Sequence, residues 1–247
     1  MRHLSVAALM LALLMPVSIF AADLPAQVLS AVGDSTRPKA DTDADASRKP
    51  GETLAFSGVK SEMVVGEFYP GGGYFTRMLS DIVGPQGHVY GIENVKWQGK
   101  APLGDKLALE GKTNVSVEAL PFGTVRFPRP LDLAWVSQNY HDLKIAEYGV
   151  VDMAAFNKAV FAALKPGGTY FILDHEAPRG TDAAGIAKLH RIEKAVVIRE
   201  VTAAGFRLVA EGKFLHRPGD DHSLSIFDKA IKGQTDQYAL KFVKPGK

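Results

Sequence analysis

The sequence contains no cysteine among its 247 residues. A chain without thiols forms no disulfide, binds no metal through thiolates, has no cysteine nucleophile and carries no lipid on an N-terminal cysteine. The hydrolase motif G-x-S-x-G and the zinc motif H-E-x-x-H are absent as well. These absences weigh against a serine hydrolase and against a metal site built on a short ligand motif.

The chain also lacks an excess of charge of either sign. Its formal net charge is +2, and lysine and arginine are spread along the sequence without a basic block. Nucleic-acid binding is therefore not indicated, and a small-molecule or protein substrate fits the composition better. With 46% hydrophobic and 23% charged residues, the chain has the composition of one globular domain that buries a full core.

Only one stretch is long and apolar enough to suggest insertion into a membrane. It runs over residues 4–20, after Arg2, and the small residues Ala21 and Ala22 follow it. This pattern predicts a secretory signal peptide over residues 1–22. The cleavage site is imperfect, because a cut after either alanine leaves a bulky residue three positions back. An uncleaved membrane anchor is the alternative.

Export and the absence of cysteine together indicate a bacterial periplasm. If the apolar segment is retained, the protein is anchored in the inner membrane and faces the periplasm instead. The rest of the sequence predicts no membrane span, and nothing in it indicates an oligomeric state.

Residues 23–62 are predicted to form an arm or lid before the main domain. The part over residues 34–52 is polar, and within it Asp41, Asp45 and Arg48 have the spacing of one face of a short helix. Two interpretations fit. The favoured one is a solvated helix held by local ion pairs, and the other is a lid that carries polar groups to a binding site.

From residue 63 onward, short apolar runs alternate with longer amphipathic stretches. This alternation predicts a Rossmann-like, doubly wound α/β domain over residues 63–247, with a mostly parallel seven-stranded sheet and a C-terminal antiparallel hairpin. The strands are expected at residues 63–68, 88–92, 114–118, 131–137, 169–174, 207–211 and 238–243. The helices include residues 74–82, 153–164 and 189–204.

The strongest motif is the turn Pro70-Gly71-Gly72-Gly73, between the first strand and the first helix of this domain. Glycines let the backbone approach a ligand closely, and a helix N-terminus offers free N–H groups. Glu93 ends the next strand, twenty residues past Gly73, where a carboxylate can accept both hydroxyls of a ribose. The order of strand, turn, helix, strand and acid predicts a nucleotide-like ligand.

The glycines are consecutive and follow the acid Glu67, whereas NAD-binding domains use G-x-G-x-x-G. Together with the later Leu-Lys-Pro-Gly-Gly turn at residues 164–168, this arrangement resembles the class I S-adenosylmethionine-dependent methyltransferases. Their first motif runs acid-x-Gly-x-Gly-x-Gly. The resemblance covers about residues 63–206.

The resemblance implies S-adenosylmethionine as cofactor. Glu67 would then lie near the amino group of its methionine moiety, Gly71 and Gly73 would contact the adenosyl portion through their backbone, and Glu93 would hold the ribose. Tyr69 departs from the motif, since it occupies the first glycine position. Its side chain must point away, or the cofactor must sit slightly differently.

Many such enzymes carry an acid after the third strand that binds adenine. Glu118 is the nearest candidate for that role here. The alternative is that its carboxylate is simply solvated at the end of a strand.

The segment after the fourth strand reads Gln138-Asn139-Tyr140-His141-Asp142 and should face the methyl group, because ligands bind at the carboxyl ends of the strands. His141 is the expected general base, oriented by Asp142 or by a more distant carboxylate. Asn139 is expected beside the cofactor, and Asn139 and Tyr140 could hydrogen-bond to or stack on a substrate. Alternatively, Asn139 and Asp142 cap a helix with His141 on its solvent side.

The motifs at residues 48–50, 70–74, 139–142 and 217–222 together look like a group of predicted bacterial methyltransferases that bear signal peptides. This likeness implies that the arm and the 217–222 loop both fold towards the cofactor cleft.

Several histidines and carboxylates invite a metal interpretation, but they form no tight ligand motif, so no metal is expected. They are His141, His175, His190, His216, His222, Asp174, Asp220 and Asp221. Three functions stay open: transfer of a methyl group by in-line displacement, a non-catalytic or divergent protein that kept the fold to bind another ligand, and a metal-assisted hydrolase.

Overall fold

The computed structural model describes residues 24–97 and 102–246. The predicted signal peptide lies outside these residues. Within them, no helix has both the length and the apolar character needed to cross a membrane.

Seven strands form one sheet, as the sequence predicts. They are β1 (Val64–Phe68), β2 (His88–Asn94), β3 (Val115–Leu120), β4 (Leu131–Ser137), β5 (Leu164–His175), β6 (Arg207–Gly212) and β7 (Gln237–Val243). Their order across the sheet is β3-β2-β1-β4-β5-β7-β6, and neighbouring strands are parallel except where β7 lies antiparallel to β5 and to β6. The Rossmann-like, mostly parallel fold is confirmed.

Over residues 24–97 and 102–246, eight α-helices accompany the sheet. They are α1 (Ala26–Val32), α2 (Lys39–Arg48), α3 (Pro50–Ser57), α4 (Tyr74–Val83), α5 (Leu103–Leu109), α6 (Met153–Ala163), α7 (Ala183–Leu189) and α8 (Lys194–Ala203). A short 3₁₀ helix (His141–Lys144) follows β4.

The central strands are buried on both faces, because each face packs against helices. One core layer joins α1, α3 and α4 to the side chains of Val65 on β1 and Trp135 on β4. The other joins α6 and α8 to Phe68 and Val136 on the opposite faces of the same strands. Successive residues of β1 and β4 therefore enter different cores, which explains why these strands are apolar almost without interruption.

The arm over residues 23–62 packs into the first of these cores. Val28, Leu54 and Phe56 are buried there, and α1 lies against both α3 and α4. In α2, by contrast, no residue is buried. Helices α1 and α3 of the arm thus belong to the helical layer that covers one face of the sheet, and the polar helix α2 lies at the surface of that layer.

The helix expected over residues 189–204 is present as α8, but it begins five residues later than predicted, at Lys194. The preceding helix α7 ends at Leu189, where His190 follows with a left-handed φ of 54°. The next residues return to the sheet, where the N–H of Ile192 donates to the carbonyl of His175 at 3.0 Å. Apolar side chains recur at helical spacing on both sides of this break, so their periodicity does not reveal it.

The start of β5 differs from expectation. β5 begins at Leu164, directly after α6, and its Lys-Pro-Gly-Gly segment forms an irregularity in the pairing with β4.

The C-terminal strands pair antiparallel, and the connection between them over residues 213–236 is long. Asp220, within this connection, is held by Arg191, which lies between α7 and α8: Arg191 Nη2 is 2.8 Å from Asp220 Oδ2, and both side chains are buried.

Asp220→Ala should destabilise the protein by about 3 kcal/mol or more, because it leaves the buried guanidinium of Arg191 without its carboxylate. Urea unfolding at neutral pH measures this. Asp221→Ala is the matched control, since Asp221 is exposed and bonds only to Ser223, and its cost should stay within about 0.5 kcal/mol. Equal losses in both variants would contradict the assignment of Arg191 and Asp220 as the pair that holds the long connection.

Candidate functional site

A cleft opens at the carboxyl ends of β1, β2 and β4. Its cavity volume is about 370 Å³. β1 pairs with β2 on one side and with β4 on the other, so the chain order reverses at this point of the sheet. Such switch points leave a crevice between the loops that follow the two strands, and ligands of doubly wound folds bind there.

Glu67 lies at the floor of the cleft and is only 3% exposed. It sits on β1 in register with Trp135 of β4. Burial raises the pKa of its carboxyl to about 7, the hydroxyl of Thr76 partly offsets this rise, and the nearby charge of Glu93 adds to it. Among the described residues, Glu67 Oε2 has no hydrogen-bond partner. A buried acceptor of this kind suits a ligand that donates a hydrogen bond or carries positive charge.

Two further polar atoms on β4 line the same cleft. Trp135 Nε1 and Ser137 Oγ are buried, and neither finds a hydrogen-bond partner among the described residues. Because they are two positions apart on one strand, they point to the same face of the sheet as Glu67 does. The sequence of β4 pointed to neither residue, because a lone tryptophan in an apolar run is typical of core packing.

The glycine turn forms one wall of the cleft. Gly71 has a φ of 56°, and an added Cβ at Gly71 or Gly72 would meet no atom within 4 Å, so this backbone faces open space. Pro70 also lines the cleft. Gly73 does not: it precedes α4 with a φ of 83°, and a Cβ there would lie 2.9 Å from Leu103. The open wall of the turn is therefore the Gly71-Gly72 segment.

Tyr69 keeps the backbone shape of the glycine it replaces. Its φ is 56°, in the left-handed region that glycine adopts most easily. The side chain turns away from Gly71 and Gly72, because its hydroxyl accepts the N–H of Gly123 at 3.0 Å and its ring lies 4.7 Å from that of Phe122. The first of the two alternatives for Tyr69 therefore applies.

Glu93 lines the cleft opposite Glu67, at the end of β2. Burial raises the pKa of its carboxyl, while the backbone N–H groups of Asn94 and Gly71 partly offset that rise. Beyond it, the rings of Tyr69, Trp97, Phe122 and Tyr148 pack against one another at centroid distances of 4.7 to 6.2 Å. The cleft thus combines an acid at a strand end with an aromatic wall.

Glu118 is not part of the cleft. Its side chain is 56% exposed on β3 and forms an ion pair with Arg126. Consecutive residues of a strand point to opposite faces, and Glu118 points to the exposed face. The expectation that it binds adenine is therefore corrected, and the alternative of a solvated carboxylate applies.

The polar helix α2 is tied to the domain by contacts far apart in sequence. Arg77 Nη1 donates to Asp41 Oδ2 at 3.0 Å, and the Tyr74 hydroxyl donates to Asp45 Oδ1 at 2.7 Å. Arg48 ends the helix, lies 4.6 Å above the Tyr74 ring and lines the cleft, with its pKa lowered by burial. Lys39 and Asp43 also form an ion pair one helical turn apart, as the interpretation of a solvated helix predicts. Arg48 reaches the cleft, as the alternative of a lid predicts.

Loop 217–222 meets this helix but does not line the cleft. Arg217 Nη2 donates to the carbonyl of Ser47 at 3.0 Å. The cleft is reached instead by Ile226 and Phe227, which follow the loop.

Tyr140 and Asn139 leave β4 in different directions. Tyr140 is fully buried away from the cleft, and its hydroxyl accepts from Asn157 at 2.8 Å and donates to Glu200 at 3.1 Å. The expected contact of Tyr140 with substrate is thus corrected, because the ring is part of the core. Asn139 does line the cleft, where its Nδ2 donates to Asp142 Oδ2 at 2.8 Å.

His141 is held between two carboxylates. Its Nδ1 is 2.7 Å from Asp174 Oδ1, its backbone N–H donates to Asp174 Oδ2, and its Nε2 is 3.2 Å from Asp142 Oδ1. Burial alone would lower the pKa of the imidazole, but the charges and hydrogen bonds of Asp174 and Asp142 raise that pKa to about 10. Both ring nitrogens of His141 therefore face carboxylates, and this geometry weighs against the general-base role expected of His141.

Two more histidines approach this point. His190 Nδ1 lies 3.4 Å from Asp142 Oδ1, and both residues line the cleft. Burial alone would raise the pKa of the Asp142 carboxyl, but hydrogen bonds with His141 and His190 hold it well below its usual range. His175 is also in the lining and hydrogen-bonds to Thr235, and burial lowers its pKa well below the usual value.

The other two C-terminal histidines form a separate group. His216 and His222 bond to the two carboxylate oxygens of Asp236, at 2.9 and 3.0 Å, away from the cleft. The histidines of the second half thus divide between the cleft and the 213–236 connection.

No protein-family model matches this sequence, and no curated protein matches it. Solved structures do match the fold. A SAM-dependent methyltransferase from Aquifex aeolicus aligns with 83% of this chain and 95% of its own, at 19% identity and a TM-score of 0.59. The arsenic(III) S-adenosylmethionine methyltransferase CrArsM from Chlamydomonas reinhardtii aligns with 90% of this chain and 74% of its own, at 15% identity and a TM-score of 0.57.

The cyclase SpnF aligns equally well, over 87% of this chain and 86% of its own, at 17% identity and a TM-score of 0.56. At such identities the similarity establishes the fold that these proteins share. It leaves the chemistry to the residues of the cleft.

Glu67→Gln should change how stability depends on pH. In the native state the carboxyl of Glu67 has a pKa of about 7, whereas in the unfolded chain it has the ordinary pKa of 4.5, so wild-type stability falls as pH rises through this window. Above pH 7 the penalty is on the order of 3 kcal/mol for a shift from 4.5 to about 7. Glutamine has no proton to lose, so the variant should gain on the wild type between pH 5 and pH 8, roughly the window of this titration.

Urea unfolding at the two pH values measures the difference. Glu118→Gln serves as control, because that side chain is exposed, and its difference from wild type should be the same at both. A constant difference for Glu67→Gln as well would show that the buried carboxyl does not titrate in this window.

Proposed function

We propose that this chain is an S-adenosylmethionine-dependent methyltransferase that acts on a small-molecule or protein nucleophile after export. One observation carries the proposal: a buried acid without a hydrogen-bond partner among the described residues, Glu67, adjoins an open glycine turn and a second acid, Glu93, in the cleft at the switch point of the sheet. The fold neighbours that are SAM-dependent methyltransferases support this choice of ligand.

The residues present fit the parts of this cofactor. Glu67 suits the ammonium group of the methionine moiety, since that group would supply both the charge and the donor that the carboxylate lacks. Arg48, at the end of the lid helix, suits the carboxylate of the same moiety. Gly71 and Gly72 leave room for a close approach of the ligand to the backbone.

Glu93 suits the two ribose hydroxyls, because a carboxylate accepts both. The aromatic wall offers apolar surface for the adenine in place of Glu118, with Trp97 and Tyr148 lining the cleft directly. This division puts the nucleoside on the β2 side of the cleft and the methionine moiety near β1 and α2.

When bound, the cofactor supplies a sulfonium methyl group that an oxygen, nitrogen or sulfur nucleophile can take by in-line displacement. The chain's own contribution is to orient the acceptor beside the β4 loop and to exclude water from the cleft. Proximity and alignment of the two reactants account for most of the rate in such a transfer. Asn139, His141, Asp142 and His190 line the acceptor end.

Export is part of the proposal, with retention as an inner-membrane anchor as the variant of it. A second candidate is a non-catalytic or divergent ligand-binding protein on the same fold. It is favoured by the similarity to SpnF, which is described as a cyclase, and by the clamped state of His141, which removes a free base from the cleft.

Calorimetric titration with S-adenosylmethionine tests the proposed function directly. Wild type should bind it, and Glu93→Ala should weaken binding at least about tenfold, since hydrogen bonds to a charged group contribute about 1.5–3 kcal/mol. Glu118→Ala is the matched control and should bind as wild type does, because Glu118 lies outside the cleft. An absence of binding in the wild type would favour the divergent ligand-binding protein.

Cofactor affinity should also rise with pH. The pKa of Glu67 is about 7, so below this pH the carboxyl must lose its proton before it can pair with an ammonium group. Binding should therefore tighten by roughly tenfold between pH 6 and pH 8. In Glu67→Gln the same titration should be weaker and nearly independent of pH. A wild-type affinity that stays flat across this range would remove Glu67 from the binding site.

A further inference from the structure

Three potential metal ligands converge at the acceptor end of the cleft. His141 Nε2 and His190 Nδ1 lie 3.2 and 3.4 Å from Asp142 Oδ1, and all three atoms lie within 4.8 Å of one another. Nitrogen and oxygen ligands bind a transition metal at about 2.0–2.2 Å, which spaces neighbouring ligands around one ion by roughly 3.0–3.5 Å. The two separations from Asp142 Oδ1 match this spacing.

The groups behind these ligands are already in place. Asp174 is fully buried, and its Oδ1 lies 2.7 Å from His141 Nδ1, on the side of the ring away from Asp142. A carboxylate at Nδ1 fixes the ring orientation and directs the lone pair of Nε2 to a metal, as in the carboxylate–histidine–zinc arrangement. Asn139 in turn holds the other oxygen of Asp142 at 2.8 Å.

His190 reaches this place through a strained backbone. Its φ of 54° is uncommon for a residue other than glycine, and it ends α7 where a continuous helix would have carried the ring elsewhere. The ring is only partly exposed and lies 4.8 Å from that of Phe227 at the cleft. Strain of this kind is typical of positions kept for a function.

We propose that His141, Asp142 and His190 form a binding site for one divalent transition-metal ion. Two imidazoles and one carboxylate suit zinc, iron, cobalt or manganese, whereas magnesium and calcium prefer sites made of oxygen alone. Three protein ligands leave coordination positions open towards the cavity, which all three residues line.

The bound metal would hold the nucleophilic atom of the methyl acceptor. This role rests on the proposed methyl transfer, whereas metal binding itself does not depend on it. Coordination lowers the pKa of a bound hydroxyl or thiol, so its proton passes to solvent. The freed electron pair forms the bond to the methyl carbon as the carbon–sulfur bond of the cofactor breaks and the neutral thioether leaves. The metal thus supplies the activation that a clamped His141 does not supply as a base.

Titration of the full chain, freed of metal by a chelator, with zinc chloride tests the site. We expect one zinc ion per chain in calorimetry, and a visible absorption band when cobalt(II) replaces zinc. His190→Ala should weaken zinc binding by tenfold or more. His216→Ala should not, because His216 is a carboxylate-paired histidine with a side chain 57% exposed, outside the cleft.

Asp142→Asn provides a second ligand variant if His190→Ala folds poorly, and circular dichroism of each variant checks the fold. The proposal would be overturned if the wild type bound no zinc, or if His190→Ala and Asp142→Asn bound zinc as tightly as the wild type does. The three residues would then form an ion-pair network without a metal. S-adenosylmethionine binding is measured separately. Zinc binding without cofactor binding would support the metal site while removing methyl transfer.

Discussion

The position of β1 between β2 and β4, parallel to both, is the constraint on which the rest of the site depends. The loops that leave β1 and β4 must diverge, because the chain continues from β1 to α4 and from β4 to the 3₁₀ helix. The backbone turns sharply at each exit, with left-handed φ values at Tyr69 after β1 and at Gln138 after β4. Neither residue is glycine, so packing must hold both turns.

Burial at this switch point also sets the charges of the cleft. Glu67 lies deep on β1, where burial raises the pKa of its carboxyl, while hydrogen bonds with His141 and His190 lower the pKa of Asp142. The cleft therefore has one end, at Glu67, that gains from a cation and another end, at the β4 loop, where carboxylates and imidazoles already pair with one another. Arg48 adds positive charge from the end of α2. A zwitterionic ligand with a separate nucleoside fits this distribution of charge.

The strands and most of the helices could be predicted from local sequence patterns. Apolar runs and glycine turns determine secondary structure within a few residues, so they can be recognised without knowledge of the tertiary contacts. Glu67, Gly71, Glu93 and Asn139 line the cleft, as expected from their positions near the carboxyl ends of strands. Glu118 does not, because a shift of one residue along a strand moves a side chain to the other face. Tyr140 lies beyond the end of β4, at the start of the 3₁₀ helix, and its ring is buried in the core. The direction of a side chain at a strand end depends on the register of the strand, and the apolar pattern does not define that register to within one residue.

One contact at the cleft could not be predicted from the sequence. Arg48 lines the cleft, as the lid interpretation of residues 34–52 predicts, whereas His190 lies far from the β4 loop in sequence and reaches the cleft because α7 ends beside it in the folded chain. A long helix over residues 189–204 would have satisfied the apolar periodicity, yet it would have taken His190 away from Asp142. The break at His190 therefore matters for function, because it places the His190 ring beside Asp142. His141, Asp142 and His190 then form one cluster that lines the cavity.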